Sequence, residues 1–143
     1  WRDLEVTYIF GKTGSGKTRG VMDVYGYENC YRVTDYKHPF DTYDGQDVLI
    51  FEEFRGSLKH GDMLNYLDIY PLSLPARYND KTACYTKVYI TSNSPLENQY
   101  WVEQQARPET WRAFLRRIHT VVEYLPDGST IIHKKGGFPY DKK

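Results

Sequence analysis

Residues 11–18 read GKTGSGKT and satisfy G-x-x-x-x-G-K-[ST] at every fixed position. This is the pattern of a phosphate-binding loop, the P-loop. Its glycines let the backbone pass close to a triphosphate, and the N–H groups at the start of the following helix point at the anion. In such a loop Gly11, Lys12, Thr13, Gly14, Ser15 and Gly16 wrap the phosphates of a nucleotide. Lys17 reaches the β- and γ-phosphates, and Thr18 ligates Mg²⁺. A Lys-Thr pair after the last glycine serves no purpose in folding.

A carboxylate is the next requirement. Glu52 and Glu53 directly follow the apolar run VLIF at 48–51, where strands adjacent to a P-loop end in acids. The first acid can hold Mg²⁺ through water, and the second can take a proton from an attacking water. Asn93 closes the run ITSN in the same way. Spacing leaves two readings of it open: a polar group on the γ-phosphate or lytic water, or a turn residue before Pro95. Arg116 and Arg117 precede another strand-like run. Arginine can stabilise phosphoryl charge from a neighbouring subunit, but a basic pair at a helix end also complements the helix dipole without further function.

These residues need elements to hold them. VTYIF at 6–10 is β-branched and aromatic and predicts a strand before the P-loop. A short helix is predicted from Lys17 to Val24, with Gly26 to stop it. Further strands are predicted at 31–34, 48–51 and 88–91, the second of them buried on both faces. Helices are predicted at about 61–69 and from Pro108 onward, the latter with Trp111, Phe114 and Leu115 on one side. Residues 71–87 predict a hairpin with the polar tip Arg77-Tyr78-Asn79-Asp80-Lys81. A second hairpin, 118–124 with 130–133, turns at Pro126-Asp127-Gly128. Alternating strands and helices argue for a three-layered α/β domain with a largely parallel sheet.

The composition adds exclusions. Nineteen basic residues balance nineteen acidic ones, so any contact with nucleic acid must use a local patch. No apolar run spans a membrane. Cys30 and Cys84 form neither a disulfide framework nor a zinc pattern, which suggests a reducing compartment. The fourteen tyrosines read as half-buried structural residues. The chain opens on Trp1 and reads as a piece of a longer protein, with residues 136–143 as a loose tail.

The order P-loop, FEEF, YPL at 70–72, ITSN at 90–93 and RRI at 116–118 resembles that of superfamily 3 helicases. It is most similar to the Rep replication initiators of circular single-stranded DNA viruses and related bacterial plasmids. FDTYDGQ at 40–46 resembles the stretch leading into their acidic strand. The likeness covers roughly residues 6–124. It implies an AAA+-like core with a mostly parallel five-stranded sheet flanked by helices, and a DNA-binding hairpin, over residues 1–135. A nicking domain and an oligomerisation collar are expected upstream. It implies an ATPase that moves on single-stranded DNA as a hexameric ring, and a fragment that is monomeric. It implies an intracellular location, in the bacterial cytoplasm or the host nucleus.

By position Lys17, Thr18, Glu52, Glu53, Asn93 and Arg117 match the family's active residues, with Arg117 acting in trans. Arg77 matches the basic hairpin residue that grips DNA, with Tyr78 and Lys81 beside it. The family's acidic pair is usually Asp-Asp, here Glu-Glu, and Tyr78-Asn79-Asp80 stands where glycines usually follow. A passive nucleotide switch, a small-molecule kinase and a viral RNA helicase are the competing readings. Glu53 discriminates the first, since a motor needs that acid.

Overall fold

A computed structural model of the chain describes residues 3–12, 14 and 16–135. The tail expected to be loose, 136–143, lies outside them. The run before the P-loop forms β1 (Glu5–Gly11). Helix α1 (Lys17–Tyr25) starts at the loop's last glycine and ends where the Gly26 N–H bonds back to the Met22 carbonyl. Then come β2 (Cys30–Val33), β3 (Val48–Phe51) and α2 (His60–Tyr66). The first hairpin is β4 (Ser73–Leu74) with β5 (Lys81–Thr82), a separate two-stranded sheet. It is followed by β6 (Lys87–Ser92), α3 (Trp101–Ala106) and α4 (Pro108–Arg117). The chain closes with β7 (Thr120–Tyr124) and β8 (Thr130–Lys135).

The main sheet has six strands in the order β2-β3-β6-β1-β7-β8. The first five are mutually parallel, and β8 runs antiparallel to β7. The expected five-stranded sheet is thus extended by one edge strand. The reason is the turn after β7, where the Ser129 N–H and hydroxyl both bond the Asp127 carboxylate and fold β8 back onto its neighbour. Helix α3 was not foreseen, because its six residues carry no apolar period.

Two cores flank the sheet. Val48 and Ile50 of β3 pack with Val21 and Met22 of α1. Leu49 and Phe51, pointing the other way, pack with Met63 and Tyr66 of α2 and with Phe114 and Leu115 of α4. All four β3 residues are therefore buried, which is what a continuous apolar run in an inner strand means. Buried tyrosines tie loops to this core by their hydroxyls: Tyr85 to the Tyr66 carbonyl at 2.7 Å, Tyr43 to Gln46 at 2.8 Å and Tyr8 to Ser94 at 2.7 Å. Both described cysteines are free. Among the described residues no helix is long and apolar enough to cross a membrane, and no group of three His, Cys, Asp or Glu could hold a metal.

Candidate functional site

Parallel strands joined by right-handed crossovers decide where a site can form. The connection leaving β1 crosses one face of the sheet as α1, whereas the one leaving β6 crosses the other face through α4 before reaching β7. The two loops diverge at neighbouring strand ends, and a crevice opens between them. It is lined by Gly14, Gly16, Lys17, Thr18, Glu52, Glu53 and Asn93, with Arg19, Arg32 and Ser92 beside them. The candidate residues drawn from the loop, the acidic pair and the ITSN run thus share one cleft. Thr13 and Ser15, also expected to bind nucleotide, lie outside the described residues. Lys12 is exposed and contributes its carbonyl, as described below.

Each element sets its side chain by a simple cause. Gly16 caps α1 at φ 87°, a left-handed conformation that a residue with a Cβ resists. Among the described residues no side chain caps this helix, and its first residues line the cleft. Gly11 meets β7 closely: a Cβ there would stand 2.6 Å from the Tyr124 carbonyl oxygen. The Lys17 ammonium donates to the Gly11 and Lys12 carbonyls at 3.0 and 2.9 Å, folding back along the loop. Burial pushes its pKa down, while Glu53 and Glu52 act in the opposite direction.

Glu53 has a positive φ of 47°, rare for a residue with a side chain. Extended neighbours point to opposite faces, and this turn breaks the alternation, so Glu52 and Glu53 both line the cleft. Thr91 holds the turn: its hydroxyl accepts from the Glu53 N–H at 3.3 Å and its carbonyl from the Phe54 N–H at 2.8 Å. The acidic strand is not adjacent to β1, as the sequence suggested. β6 lies between them, which puts Asn93 between the P-loop and the acids. Helix α1 spans the gap, and the Thr18 hydroxyl bonds Glu52 Oε1.

Arg32 is the cleft residue that the sequence reading missed. Its Nε donates to Glu52 Oε2 at 2.7 Å, and its Nη2 bonds the same oxygen. The parallel register pairs Arg32 with Ile50 and Val33 with Phe51, which carries the guanidinium toward the residue after β3. The only sequence signal was one basic residue inside a predicted strand. Glu52 is thus shared between a hydroxyl and a guanidinium. Its carboxylate and the Thr18 hydroxyl are hard oxygen donors, a set that suits a small divalent cation such as Mg²⁺. The uncapped helix start and Lys17 suit an anion.

Arg117 is not in this cleft. Its Nη1 donates to the Ala113 carbonyl at 2.9 Å and its Nη2 to Asp68 at 3.3 Å, within its own chain. Arg116 is exposed. Arg117→Ala is expected to cost about 1 kcal/mol of stability through these bonds, read as a lower urea midpoint with unchanged slope. An unchanged midpoint would show that the pairing with Asp68 contributes nothing to the fold.

The hairpin places Arg77, Tyr78 and Lys81 away from the cleft. Arg77 is tied to Asp41, whose carboxylate accepts from its backbone N–H at 3.0 Å and its Nε at 2.5 Å. These bonds hold the Asp41 carboxyl below the ordinary carboxylate range. Tyr78 is 90% exposed, with the Arg77 guanidinium 5.9 Å from its ring centre.

Fold and cleft together define an α/β protein with a mostly parallel sheet whose hydroxyl, carboxylate and cationic groups collect at adjacent strand ends. Its homologues are replication-associated proteins of circoviruses. The chain is 32% identical over 131 residues to the replication-associated protein of Goose circovirus, covering 90% of this chain and 41% of that protein. It is 31% identical over 112 residues to that of Beak and feather disease virus, covering 78% and 37%. It is 30% identical over 123 residues to that of Porcine circovirus 2, covering 85% and 38%. The chain therefore spans about two fifths of the length of these curated relatives. No family model matches it.

Proposed function

We propose that this chain is the ATP-hydrolysing helicase part of a rolling-circle replication initiator, moving on single-stranded DNA as a ring, hexameric in the family it resembles. The observation that carries the reading is the meeting of Lys17, Thr18, Glu52, Glu53 and Asn93 in one cleft. Five residues from three separate stretches have no folding reason to converge there.

In this reading the loop's N–H groups and Lys17 hold the β- and γ-phosphates of ATP. Thr18 and Glu52 hold Mg²⁺, which supplies charge neutralisation at the phosphoryl oxygens. Glu53 accepts the proton of the attacking water. Asn93 hydrogen-bonds the terminal phosphate or that water. Arg32 balances the charge of Glu52 when no cation is there. The arginine that acts on a neighbouring subunit's site comes from the Arg116-Arg117 pair, and Arg116 is the member without an intrachain anchor among the described contacts. The test is steady-state ATP hydrolysis with and without single-stranded DNA or RNA, on this chain and on a version extended upstream. DNA-stimulated hydrolysis supports the reading. Tight nucleotide binding without hydrolysis in both forms would favour a passive switch.

The hairpin is the DNA contact in this reading. Arg77→Ala and Lys81→Ala are each expected to weaken single-stranded DNA binding and to flatten its salt dependence by about one counterion. ATP affinity stays the same. Filter binding across a salt series reads both, and equal slopes in wild type and variants would put the hairpin off the DNA path.

A further inference from the structure

Gln99 precedes α3 and is almost fully buried, at 2% exposure, although nothing in its sequence context marks it. Its side-chain oxygen accepts from the Gly56 N–H at 2.7 Å. A backbone N–H can only donate, so this contact fixes the orientation of the amide. Nε2 then faces three acceptors: Tyr8 Oη at 2.8 Å, the Phe54 carbonyl at 2.9 Å and Ser92 Oγ at 3.1 Å. The two hydrogens of Nε2 are shared among these three acceptors, and the hydroxyls have acceptors of their own. Ser92 Oγ gives its proton to the Phe54 carbonyl at 2.8 Å and accepts from the Ser94 N–H at 3.1 Å. Tyr8 gives its own to the Ser94 carbonyl at 2.7 Å.

These partners are adjacent to the candidate hydrolytic residues. Phe54 follows Glu53, and Ser92 and Ser94 flank Asn93. One amide therefore joins the turn that carries Glu53 to the loop that carries Asn93. Glu53, like Tyr100 next to Gln99, has a left-handed backbone that needs support from its surroundings. Gln99 does not itself line the cleft.

We propose that Gln99 is a positioning residue for ATP hydrolysis: its side-chain amide sets the acid at 53 and the amide at 93 in fixed register with each other. This rests on the proposed function. Binding of the phosphates depends on the loop and on Lys17, which Gln99 does not touch, so its effect falls on turnover and not on affinity.

The experiment compares Gln99→Glu, Tyr8→Phe and Tyr43→Phe. Gln99→Glu keeps the shape and the acceptor for Gly56 but loses the N–H donors. Tyr8→Phe removes one arm of the network and keeps the ring in the core. Tyr43→Phe removes a buried hydroxyl elsewhere, the one bonded to the Gln46 carbonyl and the Cys84 N–H, and serves as control. Gln99→Glu is expected to lower kcat by roughly 10²-fold, the size of a misplacement of about 1 Å, with the dissociation constant of a fluorescent ATP analogue unchanged. Tyr8→Phe should lower kcat in the same direction by less. Combined with Glu53→Gln, Gln99→Glu should add less than it costs alone, because part of its action runs through that acid.

In the free protein both variants should shift the backbone amide resonances of Glu53 and Asn93, and Tyr43→Phe should leave them and kcat unmoved. If wild type binds and hydrolyses ATP but the two network variants keep full kcat, or if Gln99→Glu and Glu53→Gln act additively, this proposal alone fails. If Gln99→Glu does not fold, Tyr8→Phe decides by the same readouts. If wild type neither binds nor hydrolyses ATP, the proposed function fails and this inference with it.

Discussion

Lys17→Ala is expected to abolish ATP turnover while the chain still folds, the largest effect of any single substitution here. The ammonium is half-buried at the start of α1, beside the loop carbonyls and within the field of Glu52 and Glu53. Those acids favour its charged form, against the burial that disfavours it. Alanine leaves the phosphates without their main cation in a cleft that already holds two carboxylates. In the free protein the variant loses two hydrogen bonds to the Gly11 and Lys12 carbonyls, worth about 1–2 kcal/mol together. Those carbonyls are then free to meet water. Phosphate release and a thermal melt by circular dichroism separate the two effects. Full hydrolysis by a folded Lys17→Ala chain would remove the nucleotide site from this cleft.

Glu53→Gln is expected to keep ATP and Mg²⁺ binding and to lower turnover by about 10²–10⁴-fold, the usual contribution of a general base. The side chain is exposed to the cleft, and its backbone is held in a left-handed turn by Thr91. The amide is isosteric, so the turn survives and only the proton acceptor is lost. Glu52→Gln should behave differently. Its carboxylate takes bonds from both Thr18 and Arg32, so the variant should weaken cation-dependent binding and release Arg32. Stopped-flow binding beside single-turnover hydrolysis distinguishes the pair. If Glu52→Gln loses turnover alone and Glu53→Gln loses metal dependence, the two roles are exchanged.

Much of the fold was legible because its signals are local. The run VLIF is buried on both sides of the sheet, as a continuous apolar strand must be. Pro108 opens α4, and Trp111, Phe114 and Leu115 share its buried side. The turn at 126–128 made its hairpin. Periodicity assigns a residue to a face but not a strand to a neighbour. That is why the insertion of β6 between β1 and β3 was not readable.

The same limit applies to the cleft. Fixed spacing in GKTGSGKT identified Gly16, Lys17 and Thr18. The Arg32–Glu52 pair is 20 residues apart, Arg117–Asp68 is 49 and Gln99–Tyr8 is 91. Polar partners at such distances are chosen by the packed sheet. In sequence Arg32 and Gln99 look like any surface residue, and Arg117 looked unpaired.

Calorimetric titration of the chain with ATP, with and without Mg²⁺, tests the central claim most directly, because binding requires neither a ring nor DNA. The account predicts one saturable site per chain, weakened when Mg²⁺ is omitted or Glu52 is replaced by Gln, and absent in a folded Lys17→Ala variant. No saturable heat from a folded wild-type chain, or the same heat from Lys17→Ala, would contradict it.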